Sequence, residues 1–203
     1  MKRSFVFFVL CLMMGVAFTS CKTMSHEEYE AMQRKAEQKE SLERKLAELQ
    51  AAYSSMQRNL KSEIMSQRIQ IEQLSEREVK VTMPQDVLFK SASIVIDQSG
   101  RDMLSKVATS LRQAPGTFIR IVGHSDLLPI VRNDLKRRFT DNWELSAARA
   151  AAVARVFIWG ENVNDGRFHV VGRSHAEPVA DNRTTEGRAK NRRIEIFLEQ
   201  PVK

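Results

Sequence analysis

The pattern of hydrophobic and polar positions divides the chain into three parts. An apolar stretch runs from Ser4 to Phe18. From Met24 to about Lys80 the chain contains no Gly or Pro and is rich in Glu, Lys, Gln, Arg, Ala and Leu, which favours helix. From Val81 to about Gln200, short β-type runs alternate with amphipathic stretches. The pattern therefore predicts an N-terminal apolar segment (1–20), a helical spacer (21–80) and one folded domain (81–200).

Apolar residues recur in the predicted spacer with heptad spacing, in alternating steps of four and three residues. They are Leu42, Leu46, Leu49, Tyr53, Met56 and Leu60. A seam this narrow predicts either pairing with a second helix, as in a coiled-coil homo-oligomer, or a mostly solvated helix. We interpret the segment as a spacer, because about 55 helical residues would reach roughly 80 Å.

The domain is predicted to be an α/β fold, an α+β sandwich in which helices pack on one sheet. One helix begins at Ser99 and ends before Pro115-Gly116, and a second begins near Asp141, where Asp141-x-x-Glu144 resembles a capping box, and ends at Trp159. The predicted β-type runs are Val79–Met83, Val87–Phe89, Phe118–Gly123, Phe168–Gly172 and Ile194–Leu198.

Composition and charge narrow the choice of function. The 203 residues carry a formal net charge of +7, and 42% of them are hydrophobic, which excludes wholesale disorder. Positions 22–80 are balanced at 11 basic and 11 acidic residues, so the excess lies mainly in the domain and favours anionic partners. A run of basic residues interleaved with exposed aromatics would indicate nucleic-acid binding, and the sequence contains no such run.

Metal, cofactor and catalytic signatures are missing from the sequence. The two cysteines, Cys11 and Cys21, both precede the predicted domain, and the histidines lack metal-ligand spacing. Nothing resembles a set of nucleophile, base and orienting residue, or a pair of acids placed for glycoside cleavage. We therefore expect that the protein is not an enzyme and that it binds neither a metal nor a cofactor.

The N-terminus has the features of an export signal. Lys2 and Arg3 precede an apolar stretch that is short for a membrane span of about 20 residues. Thr19-Ser20-Cys21 resembles a lipobox, although Phe18 stands where Leu is usual. The resemblance implies a cleaved lipoprotein signal peptide and acylation of Cys21, with chains such as palmitate; the alternative is an uncleaved signal anchor. Lys22 after the cysteine favours the outer membrane, with the protein facing the periplasm.

Three polar segments of the domain carry a resemblance to a known family. They are Gly123-His124-Ser125-Asp126, Asn142-Trp143-Glu144-Leu145-Ser146-Ala147-Ala148-Arg149-Ala150 and Gly187-Arg188-Ala189-Lys190-Asn191-Arg192-Arg193. Together they resemble the OmpA/MotB C-terminal family over about residues 81–198. The resemblance implies helices packed on a mixed β-sheet, and it implies binding of peptidoglycan through the diaminopimelate of the stem peptide.

The resemblance also assigns candidate binding residues. Asp126 and Arg149 correspond to the principal pair, and Asn142 and Arg192 to supporting residues. Asn142 and Arg149 are seven residues apart, so they lie nearly in line on a helix. A strand end carrying Asp126 and a loop carrying Arg192 could converge on that side. We interpret His124 as structural rather than catalytic.

The segment Leu127–Asp141 is longer than in porin-type members and resembles the flagellar-stator version, with Pro129-Ile130 after the Asp. Its basic residues either contact anionic glycan stems or are solvated, and we expect solvation; they are Arg132, Lys136, Arg137 and Arg138.

Two cellular roles remain open. The first is a tether between the outer membrane and the cell wall. The second is a wall-anchored accessory component of a flagellar motor or secretion machine. The apolar stretch from Ser4 to Phe18 contains no Asp or Glu, which argues against an ion-conducting stator. A peptidoglycan hydrolase is a third and weaker alternative.

Overall fold

The computed structural model describes residues 25–90 and 93–201. The predicted signal segment and Cys21 lie outside these residues. The helices are α1 (His26–Asn59), α2 (Lys61–Met65), α3 (Gln85–Leu88), α4 (Gln98–Leu111), α5 (Asn133–Lys136), α6 (Asn142–Arg155) and α7 (Thr185–Asn191), with a π-helical turn at Val156–Gly160 and a 3-10 turn at Asp165–Arg167. The strands are β1 (Gln70–Ser75), β2 (Glu78–Pro84), β3 (Phe118–His124), β4 (Phe168–Ser174) and β5 (Arg193–Glu199).

The five strands form one mixed sheet in the order β1-β2-β5-β3-β4. β3 and β4 run parallel, and the other neighbouring strands are antiparallel. The parallel pair needs a crossover, which is supplied by α6, and α6 packs against both strands. Helices packed on a mixed sheet confirm the predicted fold class.

The core lies between the sheet and its helices. β2 and β5 turn alternate residues into it, such as Val81 opposite Ile196, as the period-2 pattern of a strand requires. Leu104 and Val107 of α4 and Val153 of α6 are buried in the same cluster. This packing fixes the end of β3 and the start of α6, from which the candidate site is built.

The spacer prediction needs correction, because the helix ends at Asn59 and the chain forms β1 from Gln70 onward. Leu49, Met56 and Leu60 of the heptad seam are fully buried in the domain core. The seam therefore covers this chain's own domain, and these three residues are not exposed for pairing with another helix. Composition favoured helix up to Lys80, but pairing with β2 determines the structure of 70–75.

The predicted β-type run Val87–Phe89 is also wrong. Gln85–Leu88 form one helical turn, and Phe89 makes only an isolated bridge with Ile96. The Gln85 N–H donates to the carbonyl of Arg192 at 2.9 Å, where β2 leaves the sheet. A short apolar run does not by itself distinguish a strand from a buried helical turn.

The described residues divide into two compact units, of which the first ends at Ser41 and the second begins at Leu42. The described part of the first unit is helical and begins with a capping box. The Glu28 N–H donates to Ser25 Oγ at 3.2 Å, and the Ser25 N–H donates to Glu28 Oε2 at 2.9 Å. No helix in the described residues is both long enough and apolar enough to cross a membrane.

Candidate ligand-binding cleft

The four residues that the sequence singled out line one cleft with a volume of about 250 Å³. Asp126 follows β3, Asn142 begins α6, Arg149 lies two turns further along α6, and Arg192 caps the end of α7. The structure thus brings together side chains from three distant segments, among which only Asn142 and Arg149 share an element.

Tight packing of α6 on β3 positions the cleft. A Cβ atom at Gly123 would lie 2.1 Å from the carbonyl oxygen of Ser146, which no real side chain tolerates. At the start of α6, Asp141 Oδ1 accepts hydrogen bonds from the N–H groups of Trp143 and Glu144. The Glu144 side chain accepts from the Thr140 N–H, one residue before the position that a capping box uses. The helix is therefore fixed both at its first turn and along its side.

Asp126 is 8% exposed, and both of its carboxylate oxygens have a partner. Oδ2 accepts a hydrogen bond from Arg192 Nη1 at 2.7 Å, and Oδ1 accepts one from the Leu128 N–H at 3.0 Å. A carboxylate offers about four acceptor sites, so the two bonds leave capacity for a ligand donor. The carboxylate is held in one orientation at the edge of the cleft.

The Asn142 side chain makes its hydrogen bonds to the loop that follows β3. Its Nδ2 donates to the carbonyl of Leu128 at 2.8 Å and to that of Asp126 at 3.4 Å. These bonds close the turn that follows β3 and keep the Asp126 carboxylate in place. The geometry therefore gives Asn142 a positioning role.

Arg149 is the buried cation of the cleft, with 4% exposure. Its Nη1 donates to Gln85 Oε1 at 2.6 Å and its Nε donates to the carbonyl of Ser93 at 3.3 Å. Burial and the positive charge of Arg192 lower the pKa of Arg149 to about 10, while the Asp126 carboxylate acts in the opposite direction. The guanidinium stays protonated at neutral pH and is not hydrogen-bonded to any carboxylate of the described residues.

Gln85 and Ser93 are site residues that sequence reasoning missed. Each is more than 50 positions away from Arg149 in the chain. Gln85 lies between the predicted β-type runs Val79–Met83 and Val87–Phe89, and no local signal indicated that it would face α6. Only the folded structure, in which both residues accept hydrogen bonds from Arg149, reveals them.

The segment between β3 and α6 forms one wall of the cleft, through Leu128–Arg132 and the buried Leu135. The four basic residues that were expected to be solvated are exposed: Arg132, Lys136, Arg137 and Arg138. Leu128 is 53% exposed and Val131 is 77% exposed. The wall therefore presents apolar and basic groups to a ligand.

His124 lies outside the cleft lining, in a buried polar network. Its Nε2 is 3.2 Å from Glu195 Oε2, and Arg193 Nε donates to Glu195 Oε1 at 2.8 Å. Burial alone would raise the pKa of Glu195, but the hydrogen bonds and charges of His124 and Arg193 outweigh it and lower the pKa to about 2. The network ties β3 to β5 beneath the site, as expected for a structural histidine.

The third polar segment proves to be α7 rather than a loop. Asn191 is fully buried, and its side chain bonds the backbone of Val179 and Ala180. Arg188 donates to the carbonyls of Asn182 and Arg183. These residues build the support on which Arg192 reaches the cleft. In the described part of the chain, no group of three or more His, Cys, Asp or Glu side chains is placed to hold a metal ion.

Comparison with known proteins places this geometry in a family. Residues 88–192 match the OmpA family, a range that includes all four cleft residues. The chain belongs to the OmpA family. Its relatives include outer membrane proteins, a probable lipoprotein and motility proteins.

One solved structure and two curated relatives show the range of this family. The cell wall anchor of the T6SS from Pseudomonas aeruginosa is 38% identical with a TM-score of 0.64, covering 72% of this chain and 97% of that one. The probable lipoprotein YiaD of Escherichia coli is 36% identical over 58% of this chain and 50% of its own length. Motility protein B of Bacillus subtilis is 28% identical over 74% of this chain and 56% of its own length. The chain thus spans about half the length of the curated relatives that it matches.

Proposed function

We propose that this protein is a non-catalytic lipoprotein that tethers the outer membrane to the cell wall by binding the diaminopimelate of peptidoglycan. The observation that carries the proposal is the convergence of Asp126, Arg149 and Arg192 on one cleft. Membership of the OmpA family, and similarity to a protein described as a cell wall anchor, support the choice of polymer.

The chemistry of the cleft matches a zwitterion. The side-chain end of diaminopimelate carries an ammonium and a carboxylate. The ammonium donates to the free acceptor sites of Asp126, and the carboxylate accepts from the Arg149 guanidinium, whose planar fork suits a carboxylate. Arg192 orients Asp126 and adds positive charge, so the cleft attracts an anion.

The proposal has no catalytic step. The titratable side chains of the described cleft lining are Asp126 and three arginines, of which Asp126 is the single acid. Hydrolysis of a glycoside normally uses two carboxylic acids on either side of the bond. The cleft is therefore suited to holding a ligand and lacks that catalytic pair.

The anchor at Cys21 and the outer-membrane location are proposed from the sequence alone. Support comes from the lipobox-like Thr19-Ser20-Cys21 and from similarity to a probable lipoprotein. Acyl chains contribute about 0.8 kcal/mol per buried CH₂, so two or three chains would hold the protein firmly in a membrane.

A second role has specific support. The relatives include motility proteins and the cell wall anchor of a T6SS. The same cleft would therefore also suit a wall-anchored accessory component of a motor or secretion machine. In that role the cleft chemistry is unchanged and the attached machinery differs. Purification of the protein with its partners from membranes separates the two roles.

The decisive experiment is sedimentation of the purified protein with isolated sacculi. The wild type should co-sediment, while Asp126→Asn and Arg149→Gln should remain in the supernatant. Glu76→Gln and Arg77→Gln are matched controls, because both residues are exposed in the turn between β1 and β2, at the opposite edge of the sheet from β4.

Arg149→Lys tests the geometry of the fork, since it keeps the charge and loses bidentate bonding. Folding of each variant is checked by circular dichroism. Normal co-sedimentation of both folded cleft variants would place the binding site elsewhere. Release of muropeptides by the wild type would contradict the non-catalytic assignment.

A further inference from the structure

A second, larger depression lies beside the C-terminal half of α6. It has a volume of about 530 Å³, and its lining includes Val95, Arg101, Arg138, Arg155 and Trp159. We refer to it as the Trp159 groove. None of the four sequence-predicted cleft residues lines it. Its composition of an exposed aromatic ring and three arginines distinguishes it from an ordinary solvated surface.

Trp159 is the most unusual residue of the groove, because 77% of its surface is exposed. It lies in the π-helical turn Val156–Gly160, and such turns are frequent at functional sites. Phe157 in the same turn is fully buried, and Val95 on the facing segment is 48% exposed. Large apolar side chains exposed together at one place indicate a contact surface.

The charge of the groove is uncompensated. Within the described part of the chain, Arg101, Arg138 and Arg155 form no ion pair with a carboxylate. The Arg155 guanidinium lies 6.0 Å from the centroid of the Trp159 ring, a cation–π distance. Three guanidinium groups without a carboxylate partner line the same groove as an exposed aromatic ring, which favours a ligand with both carboxylates and apolar faces.

The groove adjoins the cleft, although none of the described residues lines both. Ala152 lines the groove, and it lies one helical turn after Arg149, a rise of about 5 Å. The carbonyl of Ser93 accepts a hydrogen bond from Arg149, and the next residue, Ile94, lines the groove. Arg138 belongs to the same segment that forms the wall of the cleft. A ligand that is held by Arg149 and extends past Ser93 therefore reaches this surface.

We propose that the Trp159 groove binds the rest of the disaccharide–stem-peptide unit whose diaminopimelate end occupies the cleft, an inference that rests on the proposed function. The other carboxylates of the stem peptide pair with the arginines. The apolar faces of the amino sugars or the alanine methyl groups pack on Trp159. The position of the groove beside Arg149 favours this occupant over a membrane surface, which an exposed Trp beside basic residues would also suit.

The test compares two ligands with the purified full chain by isothermal titration calorimetry. The probes are free meso-diaminopimelate and a soluble disaccharide-tetrapeptide released from sacculi. The wild type should bind the larger probe more tightly. Trp159→Ala and Arg155→Gln should each weaken binding of the larger probe by about tenfold, the scale of one lost anchor residue, and leave binding of diaminopimelate unchanged.

Matched controls are Leu74→Ala and Arg77→Gln, which remove an exposed apolar residue and an exposed arginine at the β1 edge of the sheet. Both should bind like the wild type. Unchanged affinity of the groove variants for the larger probe would overturn the inference, and so would an equal loss for both probes. The inference would also be wrong if Trp159→Ala abolished binding to vesicles of anionic phospholipid and spared the larger probe.

Failure of the proposed function has a different signature. In that case the wild type binds neither diaminopimelate nor sacculi, and the groove inference is rejected with it. If the wild type binds sacculi and Asp126→Asn does not, the proposed function stands and the groove variants alone decide the inference.

Discussion

Arg192 and Asp126 are separated by 66 positions in the chain, and the Arg192 Nη1 lies 2.7 Å from Asp126 Oδ2. This ion pair joins the end of β3 to the end of α7 across the mouth of the cleft. It leaves the buried Arg149 as the cation that is not hydrogen-bonded to a carboxylate of the described residues. The cleft therefore has an acid held in one orientation by Arg192 and, beside it, the Arg149 guanidinium with no carboxylate partner among the described residues.

The pairing predicts that Arg192 supports binding indirectly. Arg192→Gln should weaken co-sedimentation with sacculi by about tenfold, less than Asp126→Asn, because the carboxylate remains but loses its orientation. Lys190→Gln is the control, since Lys190 is exposed on the same helix and has no side-chain hydrogen bond in the described structure. Binding of Arg192→Gln at the wild-type level would contradict the orienting role.

The Glu195 network predicts a pH dependence of stability. The folded pKa of Glu195 is lowered to about 2, below its unfolded value, so its contribution is present above the unfolded pKa and is lost as the pH falls toward 2. The contribution is about 3 kcal/mol at neutral pH. Urea denaturation of the wild type should show this loss between pH 4.5 and 2.

Glu195→Gln should be less stable than the wild type at pH 7 and lose less stability on acidification. Glu76→Gln, at an exposed position, should follow the wild-type profile. A Glu195→Gln protein with the wild-type stability difference between pH 7 and pH 3 would show that another group carries the acid sensitivity.

The close approach of β3 and α6 predicts a strong effect of Gly123→Ala. The new Cβ would lie 2.1 Å from the carbonyl oxygen of Ser146, so the helix must move. We expect a loss of at least 1–3 kcal/mol, the usual range for overpacking, and weaker binding because Arg149 moves with α6.

Gly116→Ala is the matched control, because its nearest neighbour is the flexible Glu48 side chain at 3.5 Å. Thermal unfolding followed by circular dichroism compares the two. Equal melting temperatures for both variants would mean that the contact between β3 and α6 is not tight in solution.

The C-terminal part of α1 is predicted to be part of the domain. Leu49→Ala should cost about 2–5 kcal/mol because Leu49 is buried in the core, while Arg58→Ala on the exposed side should cost little. A fragment that begins at Leu42 should unfold cooperatively. A fragment that begins at Lys61 should be much less stable, and equal stability of the two fragments in urea would contradict the assignment.

The anchor prediction is tested at Cys21. Cys21→Ala should abolish metabolic labelling by a fatty-acid analogue and release the protein from the membrane fraction. Cys11→Ala, at the other cysteine of the chain, should leave labelling unchanged. Labelling that persists in Cys21→Ala would rule out acylation at this residue.

Much of the site could be read from local patterns. The β-type run Phe118–Gly123 predicted β3, and the pattern Asp141-x-x-Glu144 predicted the start of α6; both elements are confirmed. The helical repeat placed Asn142 and Arg149 on one side of α6, and both line the cleft. These features follow from the sequence because strand alternation, helix caps and helical repeats depend on residues that are neighbours in the chain.

Other features depended on contacts between distant residues. The sequence offered no reason for Gln85 and Ser93 to hold Arg149, or for Arg192 rather than Arg149 to bond Asp126. Pairing with β2 made a strand of Gln70–Ser75 within a segment of helical composition. The heptad spacing predicted that one face of the helix is apolar. It could not identify the surface that packs against this face, because that surface is formed by residues that are distant in the chain. In the folded chain that surface is the core of its own domain, to which Leu49 and Met56 belong.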